Sequence, residues 1–248
     1  PLSSLGFRKD TETDFNNMLY GGEGIILVSG PTGSGKTTTL YSTLNKMEKP
    51  DINIVTIEDP IEFDLENINQ AQVNTKSGVT FASALRSILR QDPDIIMVGE
   101  IRDDETVELA IRAALTGHLV FSTIHTNDAA SGFARLLNWE IEPFLIASTV
   151  KGILAQRLVR RICQNCKVEH EITDRESTLL KIDKKKYAKT FTGKGCLSCR
   201  NSGYKGRVGL YELLKVDEKV SQLVLNQEPS FKIKEMARKN GMMTMLED

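Results

Sequence analysis

The chain has 248 residues, 40% hydrophobic and 26% charged, with a formal net charge of −1. That is long enough for one large or two modest globular domains, and its balance gives no global electrostatic case for nucleic acid or anionic lipid. No apolar run approaches the ~18 residues of a membrane-spanning helix, and the start, Pro1-Leu2-Ser3-Ser4-Leu5, has neither an initiator Met nor a charged-then-apolar leader, so the chain reads as a fragment of something longer.

In chain order, a short helix is expected over residues 13–19, with Phe15, Met18 and Leu19 apolar, stopped by Gly21-Gly22. Ile25 to Ser29 form an unbroken apolar run of the kind a buried parallel strand shows. It leads into Gly30-Pro31-Thr32-Gly33-Ser34-Gly35-Lys36-Thr37, which reads G-x-x-x-x-G-K-[ST], and Leu40, Leu44 and Met47 then recur at helical spacing. Strand, loop and helix together are the context a phosphate-binding loop needs. Gly33 and Gly35 let the backbone approach a polyphosphate, and the amides from about Gly33 to Thr37 converge at the positive end of the helix. Lys36 is placed to reach β- and γ-phosphates, and the Thr37 hydroxyl to ligate Mg²⁺.

Further strands are expected at 52–57, 95–98 and 119–124, and helices at 81–91 and after Asp103 as N-cap. Pro143 opens another amphipathic helix, with Ile146, Val150, Ile153 and Leu154 inward. Strands alternating with helices argue a parallel α/β sheet. Composition shifts near Arg160. We therefore expect a core built on the phosphate-binding loop at 1–160, a tetracysteine module at 161–207, and a strand with two helices at 208–248.

Ligands of open α/β sheets bind beyond the carboxyl ends of the strands. Strand two ends in Glu58-Asp59-Pro60-Ile61-Glu62, strand three in Gly99-Glu100-Ile101-Arg102-Asp103, and strand four in His125-Thr126-Asn127. Carboxylates beside a triphosphate make sense if one positions Mg²⁺ and another orients water. Glu100 is the candidate for the metal and Glu58 for the water, with Glu62 and Asp59 as weaker alternatives. His118 and His125 bracket a strand that separates them by roughly 20 Å, so they cannot share an ion; His125 lies at the ligand end and is a candidate γ-phosphate sensor. His170, in a polar stretch, reads as solvated.

Cys163-x₂-Cys166 and Cys196-x₂-Cys199 can supply four thiolates to one tetrahedral ion. Paired spacing suits a reducing compartment, and soft ligands with no open position suit structural zinc. The long gap between the pairs should hold its own helix or loop, around residues 174–189. Lys181, Lys184, Lys185, Lys186, Lys189 and Lys194 could bind phosphates of lipid or nucleic acid, but with only Tyr187 and Phe191 as aromatics among them a solvated basic face is the better reading.

Together these residues resemble a known family. Gly30 through Leu40 resembles the Walker A segment of the secretion ATPases of type II secretion and type IV pilus assembly. Thr56-Ile57-Glu58-Asp59-Pro60-Ile61-Glu62-Phe63 is similar to their acidic box, Leu89 through Asp103 to their atypical Walker B, and Thr116-Gly117-His118 through His125-Thr126-Asn127 to their histidine box. The resemblance implies a RecA-like α/β P-loop NTPase with helices on a parallel-rich sheet, a tetracysteine zinc insert and carboxyl-terminal helices. It further implies binding of ATP and Mg²⁺ through Pro31, Thr32, Gly33, Ser34, Gly35, Lys36, Thr37 and Thr38, with Lys36, Glu58 and Glu100 catalytic.

A cytoplasmic homo-hexamer follows from the same resemblance, peripheral to the inner membrane, docked on a platform protein through domains this chain lacks, and with no nucleic acid as partner. The insert is similar to that of assembly and secretion members, which favours extension over retraction. Family members draw arginine fingers from amino-terminal domains, and Arg8, the only arginine before the phosphate loop, is not assigned that role. Two rival classes follow from the same residues: a nucleic-acid translocase, and a nucleotide-binding switch without significant turnover.

Overall fold

The structure, a computed structural model, describes residues 2–180, 182–183 and 189–248. Lys181, Lys184, Lys185, Lys186 and Tyr187 of the expected basic run lie outside the described residues. Two compact units emerge: Pro1–Arg157 with Leu210–Asp248, and Leu158–Gly209. The carboxyl-terminal segment, expected as a subdomain of its own, is part of the first unit because its strand and helices close that unit's core.

The first unit contains α1 (Lys9–Leu19), β1 (Gly24–Ser29), α2 (Lys36–Met47), β2 (Ile54–Glu58), β3 (Asn69–Gln72), α3 (Phe81–Ile88), β4 (Ile95–Val98), α4 (Asp104–Leu115) and β5 (Leu119–Ile124). After these come α5 (Ala130–Asn138), α6 (Pro143–Thr149) and the start of β6 (Val150–Ile162). The sheet order is β3-β2-β4-β5-β1-β6, and β9 (Tyr204–Lys215) forms its far edge. Every pairing from β3 to β6 is parallel. All six residues of β1 are buried, as a strand covered on both faces requires. Ile25 and Leu27 face the cluster built with Leu85, Ile111, Phe133 and Ile146. Ile26 and Val28 face Phe15, Leu40, Leu44 and Phe121. Each such fully buried side chain contributes about 1.5–3 kcal/mol. Finally α8 (Glu218–Leu225) and α9 (Ser230–Lys239) add Val220, Val224, Ile233 and Ala237 to the first of these clusters.

Three elements depart from the sequence expectations. The helix begun by Pro143 stops at Thr149; Val150, Ile153 and Leu154 lie on β6, which pairs with β1 from Ile25↔Val150 to Ser29↔Ala155. The apolar spacing fits either periodicity, and the β-branched residues together with the open flank of β1 decide for the strand. Strand β3, Asn-Gln-Ala-Gln, carries no β-branched or apolar signal beyond one alanine and forms only because β2 offers a free edge. Helix α5 follows β5 too closely for its own cap signal to stand out: its N-cap is Ala129 with no side-chain bond. By contrast Asp103 caps α4, its side chain accepting from the Thr106 amide at 2.7 Å.

The second unit holds β7 (Lys167–Glu171), α7 (Asp174–Leu180) and β8 (Lys189–Gly193), with β7 and β8 an antiparallel pair. A Cβ on Gly193 would sit 2.0 Å from the Gly203 carbonyl oxygen, so the two backbone loops can touch there only without side chains. His170, expected to be solvated, bonds Glu176 through Nε2 at 3.0 Å.

Candidate active site and metal centre

The strand order places the carboxyl ends of β2, β4, β5 and β1 side by side. Their loops are tied together by backbone bonds: Gly99 N–H to Ile57 O at 2.8 Å, and Ile101 N–H to Thr123 O at 3.0 Å. Side chains add to this, the Ser122 hydroxyl donating to Val98 O at 2.7 Å and that of Thr123 to Gly99 O at 2.8 Å.

The phosphate loop leaves β1 at Gly30, whose φ of 148° and whose absent Cβ are both needed: a Cβ there would lie 2.4 Å from the Gln156 carbonyl oxygen. Gly35 is the N-cap of α2 in a left-handed conformation, and the helix opens at Lys36 with Thr37 in its first turn. Pro31, Thr32, Gly33 and Thr38 are exposed, while Ser34 is buried. Lys36 Nζ donates to Gly30 O at 2.9 Å and Pro31 O at 3.1 Å, so the ammonium is held within its own loop. Burial lowers its pKa, and the negative charge of Glu100 works in the other direction.

Glu100 sits beside this loop with a partly exposed side chain. Arg102 bonds one oxygen, and His125 Nε2 lies 3.6 Å from the other. Arg102 also reaches Asp59 at 3.5 Å. Glu58 occupies a different setting. It is 3% exposed, and both oxygens are engaged: Tyr41 donates its hydroxyl to one, while Thr56 at 2.6 Å and Gln70 at 3.0 Å donate to the other. Tyr41, in α2, also accepts the Glu62 amide at 3.3 Å and meets the Phe63 ring edge-on at 4.7 Å between centroids. Burial and the bond to Glu58 push the Tyr41 phenol up to about 12. The Glu62 and Asp59 residues are exposed.

Gln156, Tyr41 and Gln70 escaped the sequence reading, and Thr56 entered it only as part of the acidic-box match, without a role. Gln156 is buried on β6; its Nε2 donates to the Ser34 carbonyl at 2.8 Å and its Oε1 accepts from Thr39 at 2.8 Å. Only recognition of β6 as the neighbour of β1 would have exposed it.

The loop fits a polyphosphate. Ser34 Oγ is buried without a hydrogen-bond partner, and a Cβ on Gly33 would meet nothing within 4 Å, which leaves free space above the helix N-terminus. At the opposite end of β5, His118 Nδ1 lies 2.9 Å from Ala113 O and 3.1 Å from Thr116 Oγ1, a structural setting.

In the second unit the Sγ atoms of Cys163, Cys166, Cys196 and Cys199 all lie within 4.8 Å of one another, and none forms a disulfide. Three of the S···S separations are 3.9, 3.9 and 3.7 Å. Thiolates ~2.3 Å from a central tetrahedral ion stand about 3.8 Å apart, so the set could hold such an ion. Burial opposes ionisation of Cys199, but the amides of Cys196 and Gly203 and the neighbouring thiols outweigh it and lower its pKa, while burial raises that of Cys166.

Fold and site define a P-loop nucleotide-binding α/β protein with a tetracysteine module. The chain belongs to the family described as Type II/IV secretion system protein, whose profile matches residues 1–248. It is 47% identical over 249 residues to the type IV pilus assembly ATPase PilB of Thermus thermophilus, covering 100% of this chain and 28% of that protein. It is 49% identical over 223 residues to the type II secretion system ATPase E of Vibrio cholerae, covering 90% of this chain and 44% of that protein. Among solved structures, the pilus retraction motor PilT with bound ADP gives a TM-score of 0.71 at 32% identity, covering 98% of this chain and 60% of that one. The chain thus spans between about a quarter and a half of the length of the curated relatives it matches. Among the described residues no helix is long and apolar enough to cross a membrane.

Proposed function

We propose that this chain is the ATP-hydrolysing domain of a motor subunit that powers type IV pilus assembly or type II secretion. The observation that carries the reading is the convergence of the phosphate loop, Lys36, Glu100 and His125 at the ends of adjacent parallel strands. Relatives named as ATPases of both machines support it.

Bound Mg·ATP would supply the polyphosphate and a divalent charge that polarises the terminal phosphoryl group. Amides from residues 33 to 37 would receive the phosphates, with Ser34 Oγ gaining the partner it lacks. Lys36 would exchange two loop carbonyls for phosphate oxygens and neutralise developing charge. Thr37 and Glu100 would hold the cation. Glu58 would orient the attacking water, its carboxylate held in place by Tyr41, Thr56 and Gln70. His125, in reach of Glu100, would register the γ-phosphate. The four cysteines would hold structural zinc. The full-length protein would act as a cytoplasmic hexamer at the inner membrane, docked on a platform protein.

The test is steady-state ATP turnover of the full-length protein, with and without single-stranded and duplex DNA, against Lys36→Ala as the blank. Turnover that rises with protein concentration and ignores DNA is the expected result. Stimulation by DNA would replace the proposal with a translocase. Tight binding without turnover would replace it with a nucleotide switch.

A further inference from the structure

The near-zero net charge conceals a partition. Residues 158–209 contain 13 Lys and Arg against 5 Asp and Glu, while the rest of the chain has 19 against 28. A tetrathiolate metal centre, formally a dianion, would offset only part of that excess. Most described cations of this unit also lack a carboxylate partner. Arg160, Arg161, Lys167, Lys194, Arg200, Lys205 and Arg207 are all exposed, and none forms an ion pair among the described residues.

Three of them attach to the two cysteine knuckles, and one of these, Lys205, reaches the turn between Cys196 and Cys199 with its side chain. Lys194 donates its amide to Cys166 O at 3.1 Å, Lys205 Nζ donates to Ser198 Oγ at 2.9 Å, and Arg200 follows Cys199 directly. At the tip of that turn, between Cys196 and Cys199, stands Leu197, 92% exposed. An apolar side chain held out on a cysteine turn, with Lys205 on the turn itself and Arg200 directly after it, both without carboxylate partners among the described residues, matches the boundary between anionic headgroups and acyl chains.

We propose that this face of the tetracysteine module docks on the surface of an anionic lipid bilayer, Leu197 entering the headgroup layer with Lys194, Arg200 and Lys205 against the phosphates. Nucleic acid is the less suitable occupant. Tyr204 and Phe191 each already carry a cation over one face, from Arg160 at 4.0 Å and Lys167 at 3.8 Å, and a protruding leucine has no partner on a phosphate backbone. The inference is independent of the nucleotide reading.

The experiment is flotation of the full chain with phosphatidylcholine vesicles, with and without phosphatidylglycerol. Binding is expected only to the anionic vesicles and is lost near ~0.5 M salt. Lys194→Gln with Lys205→Gln should weaken partition by about 25-fold, some fivefold per cation, and Leu197→Asp should weaken it at low and high salt alike. Both variants are to be compared at unchanged zinc content, so that a collapsed module is not mistaken for a lost surface. Equal binding to neutral vesicles, no binding to anionic ones, or full binding by both zinc-loaded variants would overturn the proposal. So would single-stranded or duplex DNA that displaces the chain from vesicles at equal phosphate.

Discussion

Gln156 Nε2 donates to the Ser34 carbonyl at 2.8 Å, so the phosphate loop is held from β6, 122 residues further along the chain. The same amide accepts the Thr39 hydroxyl from α2, which fixes the loop against its own helix. Gln156→Leu keeps the volume and removes both bonds, leaving a buried carbonyl and a buried hydroxyl unpaired. The expected cost is about 1–3 kcal/mol. Denaturant unfolding should show it, and nucleotide titration should show affinity falling by about tenfold or more.

Glu100 and Glu58 should respond differently to the same substitution. Glu100 is partly exposed and contacts Arg102 and His125. Glu100→Gln should leave stability nearly unchanged and cut ATP turnover by about 10² or more while nucleotide still binds. Glu58→Gln places an amide N–H₂ among three donors and should lower both turnover and the melting temperature. Calorimetry and turnover on the two variants check both halves. Equal melting temperatures for Glu58→Gln and the parent would sink the burial argument.

Lys234 on α9 bonds Asp128 at 2.7 Å and lies 3.5 Å from Glu212, which is 1% exposed on β9. Glu212 also accepts the Ala129 amide at 3.0 Å, so the cluster fastens the loop after His125 to the carboxyl-terminal helix. Lys234→Met strands the Glu212 carboxylate and should cost about 3 kcal/mol.

The same cluster sets a pH window. Burial raises the pKa of Asp128, but Lys234 and Ser131 outweigh it, and the result lies below the ordinary 3.8. Burial lowers the pKa of Lys234, but Asp128 and Glu212 outweigh it, and the result lies above the ordinary 10.5. The stabilisation from Asp128 is therefore present above its unfolded pKa and lost as pH falls through the folded one. That from Lys234 is full below its unfolded pKa and lost as pH rises through the folded one. Unfolding of parent and Lys234→Met should differ most between about pH 5 and 10, and the two curves should converge in acid.

Removal of metal by a chelator should loosen residues 158–209 and leave nucleotide binding by the first unit in place, because metal affinity is folding energy only for the part that supplies the ligands. Limited proteolysis before and after chelation checks this. Cleavage confined to that segment is expected, with Cys196→Ser reproducing it without chelator.

Much of this was legible in the sequence. Strands Ile95–Val98 and Leu119–Ile124 and the Asp103 cap follow from local apolar runs and a single capping side chain. The cysteine pairs announced a shared centre because both halves of it are short-range motifs. What stayed hidden depends on pairing between distant segments. Gln156 was lost inside a stretch whose spacing suits a helix as well as a strand, and β3 has no intrinsic strand signal at all. The burial of Glu58 could not be read either. Glutamate at a strand end looks solvent-facing until Tyr41 from α2 and Gln70 from β3 are known to close over it.

The opposite charges of residues 158–209 and of the remainder have a consequence at the bench. A protein with a sequence pI near 6.4 is expected to pass a cation exchanger at neutral pH and be retained weakly, if at all, by an anion exchanger. Here each resin meets a surface of the sign it prefers, and retention by both columns at low ionic strength follows from that segregation rather than from the average. The molecule is amphoteric on the scale of its folded parts, and its isoelectric point describes neither of them.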